Sequence, residues 1–521
     1  MRRREFIRNV APVAFLGGFK ISALSSLPFI NGLAGAPDND HVLVLVQMVG
    51  GNDGLNTLIP LTNYADYYAA RSNIAIPQGK VLKLTSNIKN GLHPALTGFQ
   101  SLYDNDQLAV LQSVGYPSPD GSHFRSMDIW LSGADADQYL STGWTGRFLG
   151  ETYTNFPVGY PNADMPDPLA IQIGSVISPV FMSENGTTAM AVPTDTEFYD
   201  LINGITEPEP DTPMGNELTY LRSVARTTNK YASVIEAAAA KVTSQYTGYP
   251  ANNELAAQLK TVARLVAGGL KTKVYMVSTG GFDTHGGQVN SGDTTTGGHA
   301  NLLGQLSDAI TAFMKDCQML SIDKRVLGMT FSEFGRRIVS NGSLGTDHGA
   351  AQPVFIFGDA AQTGVLGTNP DLSATNVESN LPMQYDFRSV YSSILRDWFC
   401  VSPTDVSTML LKNYQYLPFI KNSACGNTYT DLNDLGNSLI SNSPNPFTTS
   451  TTITFKTNGG HTLVQILDVT GRLVMVPVDQ DYTQGTYTVT VNTNSLAHGV
   501  YYARLQNQSV QQVRTMLKVK L

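Results

Sequence analysis

The sequence predicts an α/β protein, with a doubly wound, mostly parallel sheet followed by a small antiparallel β-sandwich. Three observations predict it. Between His41 and Val401, near-continuous apolar and β-branched runs recur, of the kind buried on both faces of a parallel sheet. Stretches with apolar residues at helical spacing separate these runs. After Ser443 the pattern changes to short segments alternating at period two, the mark of half-buried antiparallel strands.

The first buried run, Val42 to Val49, ends in Gly50-Gly51-Asn52-Asp53. A helix bearing Leu96, Phe99, Leu102 and Tyr103 leads into a second run, Leu108 to Leu111. From Asn216 to Ala267 the chain is Ala-rich and reads as two long helices broken near Gly248-Tyr249-Pro250. Val274 to Val277 then leads to Gly281-Phe282-Asp283-Thr284-His285, and Val326 to Phe331 leads to Ser332-Glu333. Between these two lies a helix with Leu302, Leu303, Leu306, Ile310, Phe313, Met314 and Cys317 at helical spacing. Strand, helix and strand in that order form a right-handed crossover unit. A further strand is expected over Pro353 to Phe357. Asp386 is placed to cap a last helix, with Phe387, Val390, Tyr391, Ile394, Leu395 and Trp398 on one face.

Composition narrows the function. The net charge is −8 and only 15% of the 521 residues are charged, which argues against a nucleic-acid partner held through phosphates. With 42% hydrophobic residues the chain can bury a sizeable core, and three cysteines are too few for a disulfide framework. Cys400 and Cys425 are close enough in sequence to bridge, but Cys400 reads as core and Cys425 as linker, so no obligatory disulfide is expected. Residues 1–36 read as an export signal: Arg2, Arg3, Arg4 and Arg8 precede an apolar stretch ending in Ala34-Gly35-Ala36. Pro12, Gly17-Gly18, Lys20 and Pro28 break that stretch below the ~18 apolar residues a membrane helix needs, so no transmembrane helix is expected in the mature chain. The α/β domain is assigned to 37–420, a polar Asn/Ser/Gly/Asp-rich linker to 421–442, and the sandwich to 443–521.

Ligands of open α/β sheets bind beyond the carboxyl ends of the strands. Three of the expected strands end within a few residues of an acid: Asp53, Asp283 and Glu333. Each also has a structural reading, as a turn cap for Asp53, an Asx turn for Asp283 and an ion pair with Arg336 or Arg337 for Glu333. His285 follows Asp283 by two residues, and Asp347-His348-Gly349 lies in a Gly-rich loop before the Pro353 strand. Converging carboxylates and imidazoles are costly to assemble unless a divalent cation neutralises them. The residues themselves do not choose among Zn, Ca, Mg and Mn, or between one ion and two. Ser122 opens a helix carrying Phe124, Met127, Trp130 and Leu131, so its hydroxyl is either a nucleophile at a positive helix end or a simple N-cap. Arg125 either clamps substrate oxygens or pairs with Asp128. His123 is a candidate base, ligand or phosphoenzyme site.

The serial order of these pieces resembles the alkaline phosphatase and sulfatase superfamily. More closely, the stretch from His41 to about Val401 resembles the sulfatase-like domain of unknown function 1501 family. Five segments carry that resemblance: Gly50 to Asn56, Ser122 to Asp128, Gly281 to His285, Phe331 to Arg337 and Gly345 to Gly349. It implies an alkaline phosphatase-like fold and a metal-dependent hydrolase of phosphate or sulfate esters, with glycans and other polymers among the candidate substrates. By position, it implies Asp53 and Glu333 at one metal site, and Asp283, His285 and His348 at the other, with Asp347 as a replacement ligand. Two departures stand out: Glu333 is followed by Phe334 where the superfamily has a further ligand, and Asp283 to His285 is shorter than the usual spacing. The alternative is a non-catalytic surface binding or adhesion protein on a degenerate hydrolase scaffold. The Arg3-Arg4-Glu5-Phe6-Ile7 start resembles the twin-arginine signal. The tail, with Ser443-Pro444-Asn445-Pro446-Phe447, Asp468 to Arg472, Leu496, Gly499-Val500-Tyr501 and Lys518-Val519-Lys520, resembles the type IX secretion sorting domain of Bacteroidetes. That resemblance implies handling by the type IX machinery and secretion or display at the cell surface.

Overall fold

The computed structural model describes residues 39–85, 87–193, 231–373, 380–421, 425, 440–457, 460–468, 472–483, 485–507 and 510–519. The expected export signal, most of the expected linker and the start of the Ala-rich stretch lie outside the described residues.

Among the described residues, nine strands form the central sheet: β1 (Val42–Met48), β2 (Leu108–Gly115), β3 (Ala170–Ile173), β4 (Ala189–Val192), β5 (Val274–Thr279), β6 (Val326–Phe331), β7 (Gln352–Phe357), β8 (Gly364–Leu366) and β9 (Tyr385–Asp386). Their order is β8-β2-β7-β6-β1-β5-β3-β4, with β9 also pairing to β2. β1 sits between β5 and β6 in parallel register, Leu45 opposite Met276 on one side and Met329 on the other. Among these strands β7 is reversed: it runs antiparallel to both β6 and β2. The sequence alone did not show that reversal, because a strand buried on both faces has the same composition in either direction.

Helices cover both faces, as expected for a doubly wound sheet. Val42, Val44, Val46 and Met48 of β1 pack with α2 (Thr97–Asp104), α4 (Glu254–Ala267) and α5 (Gly298–Met319). The alternate residues Leu43 and Leu45 pack with α3 (His123–Ser132) and α6 (Phe387–Asp397) through Trp130, Phe387, Tyr391 and Trp398. That alternation is the period-two geometry of a strand with apolar residues on both sides. Asp386 caps α6 by accepting from Arg388 N. The one-turn α1 (Gly54–Thr57) follows β1 directly.

Two findings correct the sequence reading of this region. Cys400 and Cys425 form a disulfide, with Cα atoms 5.3 Å apart. Residue 425 folds back onto the end of α6, where its Sγ lies 3.3 Å from Asp397 O, and polar composition around Cys425 could not reveal that return. The polar stretch also ends sooner than assigned, because a strand begins at Ile440.

The tail contains β10 (Ile440–Ser443), β11 (Ser450–Thr457), β12 (Gly460–Asp468), β13 (Leu473–Tyr482), β14 (Gly485–Asn492), β15 (Gly499–Asn507) and β16 (Val510–Lys518). They make two antiparallel sheets, β10-β11-β14 and β13-β12-β15-β16. Ile453, Phe455, Val464, Ile466, Ala503, Leu505 and Met516 fill the core between them. β10 and β13 were not read from sequence. β10 has only four residues, and the Val476-Pro477 and Asp479-Gln480-Asp481 steps of β13 obscure its alternation.

Candidate functional site

The parallel strands deliver their carboxyl ends to one edge, and every segment with chemistry leaves or enters there. β1 leads to Gly50 through Asp53, β5 to Asp283 and His285, β6 to Glu333, and β2 to Ser122 and His123. Reversed β7 contributes from its amino end, so the Asp347-His348 loop also lies at this edge.

The turn after β1 depends on glycine. Gly50 has φ +125°, and a Cβ there would stand 2.3 Å from Asp283 N. That close approach brings Gly50 N to 2.9 Å from Glu333 Oε1 and Gly51 N to 3.1 Å from Ser332 Oγ. Glu333 is buried, and Ser332 Oγ donates to its second oxygen at 2.9 Å.

Asp283 is the hub of the site. His285 Nε2 lies 3.2 Å and His348 Nε2 3.3 Å from its Oδ1, and His123 Nε2 lies 3.6 Å from its Oδ2. The buried guanidinium of Arg336 donates to Oδ1 and to the carbonyls of Gly50, Gly51 and Thr346. Burial works to raise the Asp283 pKa, but Arg336, His285 and His348 outweigh it and hold the carboxyl below its usual range. Asp347 is also held low, first by its hydrogen bond from Asn341 and then by His285. His123, Asp283 and His348 each offer a ligand atom within 4.8 Å of the others, and His285 Nε2 is 2.9 Å from His348 Nε2. The Phe334 ring packs against His123 and His348, with centroids 4.9 and 4.7 Å away.

Asp53, expected as a ligand, does not join this cluster. It is fully buried, and both oxygens accept from Arg71 Nη1, at 2.8 and 2.7 Å. Gln288 Nε2 donates to Oδ2 at 2.6 Å. Burial pushes its carboxyl up, but Arg71, His299 and Gln288 carry it net below the usual carboxylate range. Behind it, His299 Nε2 lies 2.9 Å from Asn52 Oδ1 in the closed interior, and burial pushes its pKa down to about 4.

Glu333 meets neither Arg336 nor Arg337 in an ion pair; its oxygen lies 2.8 Å from His123 Nδ1. Arg125, expected as a substrate clamp or an Asp128 partner, takes the second course. It pairs with Asp128, donates to the Ala136 carbonyl at 3.0 Å and lies over the Tyr139 ring at 3.9 Å. Ser122 is exposed at the start of α3 and makes no side-chain capping hydrogen bond. Arg336 was missed as a site residue although it lay in a noted motif, and Arg71 and Gln288, which close around Asp53 apart from the cluster, meet it by tertiary contact without a local signal.

The family described as protein of unknown function (DUF1501) matches residues 115–391, more than half of the chain. The chain belongs to that family. A second match, to the secretion system C-terminal sorting domain, covers residues 443–519 of this DUF1501 protein. The sorting domain makes it a protein secreted or displayed at the cell surface through type IX secretion. Among the described residues, no helix is long and apolar enough to cross a membrane. No curated protein matches the chain. Among solved structures, the DUF1501 chain is similar to a Bacteroides thetaiotaomicron protein described under metabolism of multiple glycosaminoglycans, with TM-score 0.36 and 9% identity over 92% of this chain and 89% of that one. It is also similar to a protein in the alkaline phosphatase superfamily from Vibrio parahaemolyticus, with TM-score 0.33 and 10% identity over 91% and 84% of the two chains. A sulfatase from Pseudoalteromonas sp. has TM-score 0.34 and 10% identity over 91% and 87%.

Proposed function

We propose that this protein is an exported metal-dependent hydrolase of phosphate or sulfate esters. The observation that carries the proposal is the convergence of Asp283, His123, His285 and His348 at the carboxyl edge of the parallel strands, where such sheets bind ligands. The donor set fits one divalent ion, with Asp283, His285 and His348 among the residues that would hold it. A second ion centred on Asp53 does not fit, because Arg71 and Gln288 already occupy both of its fully buried oxygens, whereas Arg336 reaches only Oδ1 of Asp283. Bound at the first position, an ion would neutralise charge developing on the transferring group.

The chain's own residues prepare the rest. Arg336 keeps Asp283 ionised and oriented. Ser122 stands at the amino end of the ten-residue α3, where free N–H groups and the helix dipole favour an anionic ester. Phe334 shields one side of the imidazole pair from water.

The test is turnover of 4-nitrophenyl sulfate and 4-nitrophenyl phosphate by metal-loaded protein. Release of nitrophenol that is lost in Asp283→Asn is the expected result. No turnover of either ester with Zn²⁺, Ca²⁺, Mg²⁺ or Mn²⁺ overturns the proposal. The second reading, a non-catalytic surface binding protein on a degenerate hydrolase scaffold, is favoured by the Asp53–Arg71 pair, which replaces an open carboxylate with a closed ion pair.

A further inference from the structure

The chain passes from α2 to β2 in three residues, Asn105-Asp106-Gln107, with Asp106 in the left-handed region at φ 57°. That turn sets Gln107 at the amino edge of the parallel strands, and Asp359, which follows the end of reversed β7, reaches the same edge. Between them and the helices α2 and α5 lies a cavity of about 410 Å³, within the roughly 300 to 1,000 Å³ of small-molecule sites. The eight residues of β2, at ~3.3 Å each, separate it from the histidine cluster by about 26 Å. Leu102 and Met314, both buried, give the cavity an apolar floor. Gln107 is only 7% exposed, and its backbone is fixed, its N–H donating to Leu102 O at 2.8 Å and its carbonyl accepting from Gly358 N at 3.1 Å. Its side-chain amide lines the cavity and makes no hydrogen bond among the described residues. A buried amide needs partners for two donor hydrogens and one carbonyl oxygen. Two hydroxyls stand near it. Thr311 Oγ1 donates to Ser307 O at 2.7 Å and keeps its lone pairs, while Ser101 Oγ accepts from Asn105 Nδ2 at 3.4 Å and keeps its hydrogen.

We propose that this cavity is a second ligand site, independent of the ester-hydrolase reading, and that it takes a neutral polyhydroxylated molecule of the saccharide class. A ligand hydroxyl both donates and accepts, so one such group can meet either end of the Gln107 amide, the lone pairs of Thr311 or the hydrogen of Ser101. The C–H face of a sugar ring suits the floor of Leu102 and Met314. Charge at the rim selects against ions. Lys315 and Asp359 both line the cavity, and neither makes an ion pair among the described residues. Lys315 Nζ lies 5.8 Å from the Tyr246 ring centroid, and Lys421 donates to the backbone carbonyl of Asp359 at 2.8 Å. An anion drawn to Lys315 meets the Asp359 carboxylate, and a cation drawn to Asp359 meets the Lys315 ammonium. A hydroxyl accepts from the first and donates to the second. None of the lining residues is aromatic, which removes the stacking surface that a nucleobase or another flat ring would use. With the cavity at one edge of the sheet and the histidine cluster at the other, a saccharide held here leaves the cluster open.

The experiment titrates the full chain with glucose, galactose, mannose, xylose, N-acetylglucosamine and their disaccharides, and with glycine, lysine and inorganic sulfate as charged comparators. Calorimetry and ligand-observed NMR read the binding. Saturable binding of at least one neutral sugar, tighter than that of any charged comparator, is the expected result. Gln107→Leu, which keeps the volume and removes the amide, should weaken it by about tenfold. Ser101 is exposed on α2, so Ser101→Trp fills the cavity mouth without entering the core and should abolish binding. The unfolding midpoint of each variant confirms that it folds. Asp283→Asn, at the opposite edge, should leave sugar binding unchanged. No binding across the neutral panel, preference for a charged comparator, or affinity unchanged in folded Gln107→Leu and Ser101→Trp proteins overturns the proposal. Sugar binding lost in Asp283→Asn and kept in Gln107→Leu also overturns it, because the ligand would then sit at the histidine cluster.

Discussion

Both oxygens of Asp53 accept from Nη1 of Arg71, and neither residue exposes any side-chain surface. A buried pair of this kind costs most when one member is removed, because the other is left charged without a partner. Arg71→Met is therefore expected to destabilise the α/β domain by about 3 to 5 kcal/mol in urea unfolding. Adding Asp53→Asn to it should recover a large part of that loss. Bound metal should stay at one equivalent in the double variant, and its loss would return Asp53 to the ligand set.

Acid should destabilise the protein through its closed-in histidines. Burial pushes His299 down to about 4 and His93 to about 3, from 6.5 in each case. Below pH 6.5 the unfolded chain binds protons that the folded chain refuses, so stability falls as pH drops from 6.5 toward 4. The slope is up to about 1.4 kcal/mol per pH unit for each group. Asp53, with its depressed pKa, adds a loss in the same direction at lower pH, beneath its unfolded value of 3.8. Denaturant unfolding at pH 7, 5.5 and 4.5 measures the slope. His299→Gln should flatten it, and an unchanged slope would assign the acid sensitivity elsewhere.

Cleaving the Cys400–Cys425 bond frees a loop spanning 25 residues. The chain-entropy model gives about 3 kcal/mol for a loop of this size. Reduced protein is expected to unfold at lower denaturant while keeping its fold, since Trp398 and Phe399 remain buried in the core beside the bond. Mass measurement without reductant should show one disulfide and leave Cys317, which is buried, as the free thiol.

Gly50→Ala should disturb the site without touching a charged group. The new methyl would meet Asp283 N at 2.3 Å in a backbone conformation that L residues rarely adopt. A loss of about 1 to 3 kcal/mol, with weaker divalent-metal binding, is the expected outcome by unfolding and calorimetry.

Removing the tail should leave a folded α/β domain inside the outer membrane. The cut belongs before Ile440, because β10 pairs with β11 from Ile440↔Phe455 to Ser443↔Thr452. Cell fractionation should find the shortened protein in the periplasm, and its appearance outside would remove the tail's role in export.

Much of this architecture was legible in the sequence because strands buried on both faces must be apolar throughout, as in Val42 to Met48 and Val326 to Phe331. The acids after those strands were legible for the same reason, as polar residues placed where an apolar run stops. Their partners were not. Arg71 is the C-cap of the short helix Tyr64–Ala70 and meets Asp53 only once the chain has folded. Glu333 and Asp283 carry the same charge, yet one supports an imidazole and the other faces three of them. That difference is set by which Nδ1 reaches which carboxylate, a matter of approach angle that spacing along the chain does not encode. Glu333 is followed in the chain by Phe334, and the group that meets it in space, His123, arrives from a different strand end.

The reversal of β7 has a consequence for how this site can change. Because β6 ends and β7 begins at the same edge, residues 332 to 351 leave and return without crossing the sheet. Glu333, Arg336, Asp347 and His348 therefore travel on one excursion of the chain, anchored at both ends by adjacent strands. A graft of this segment into a homologous scaffold would carry two carboxylates, one imidazole and the guanidinium that pairs with Asp283 together. His285 and His123 sit on separate crossings and would have to be matched one at a time.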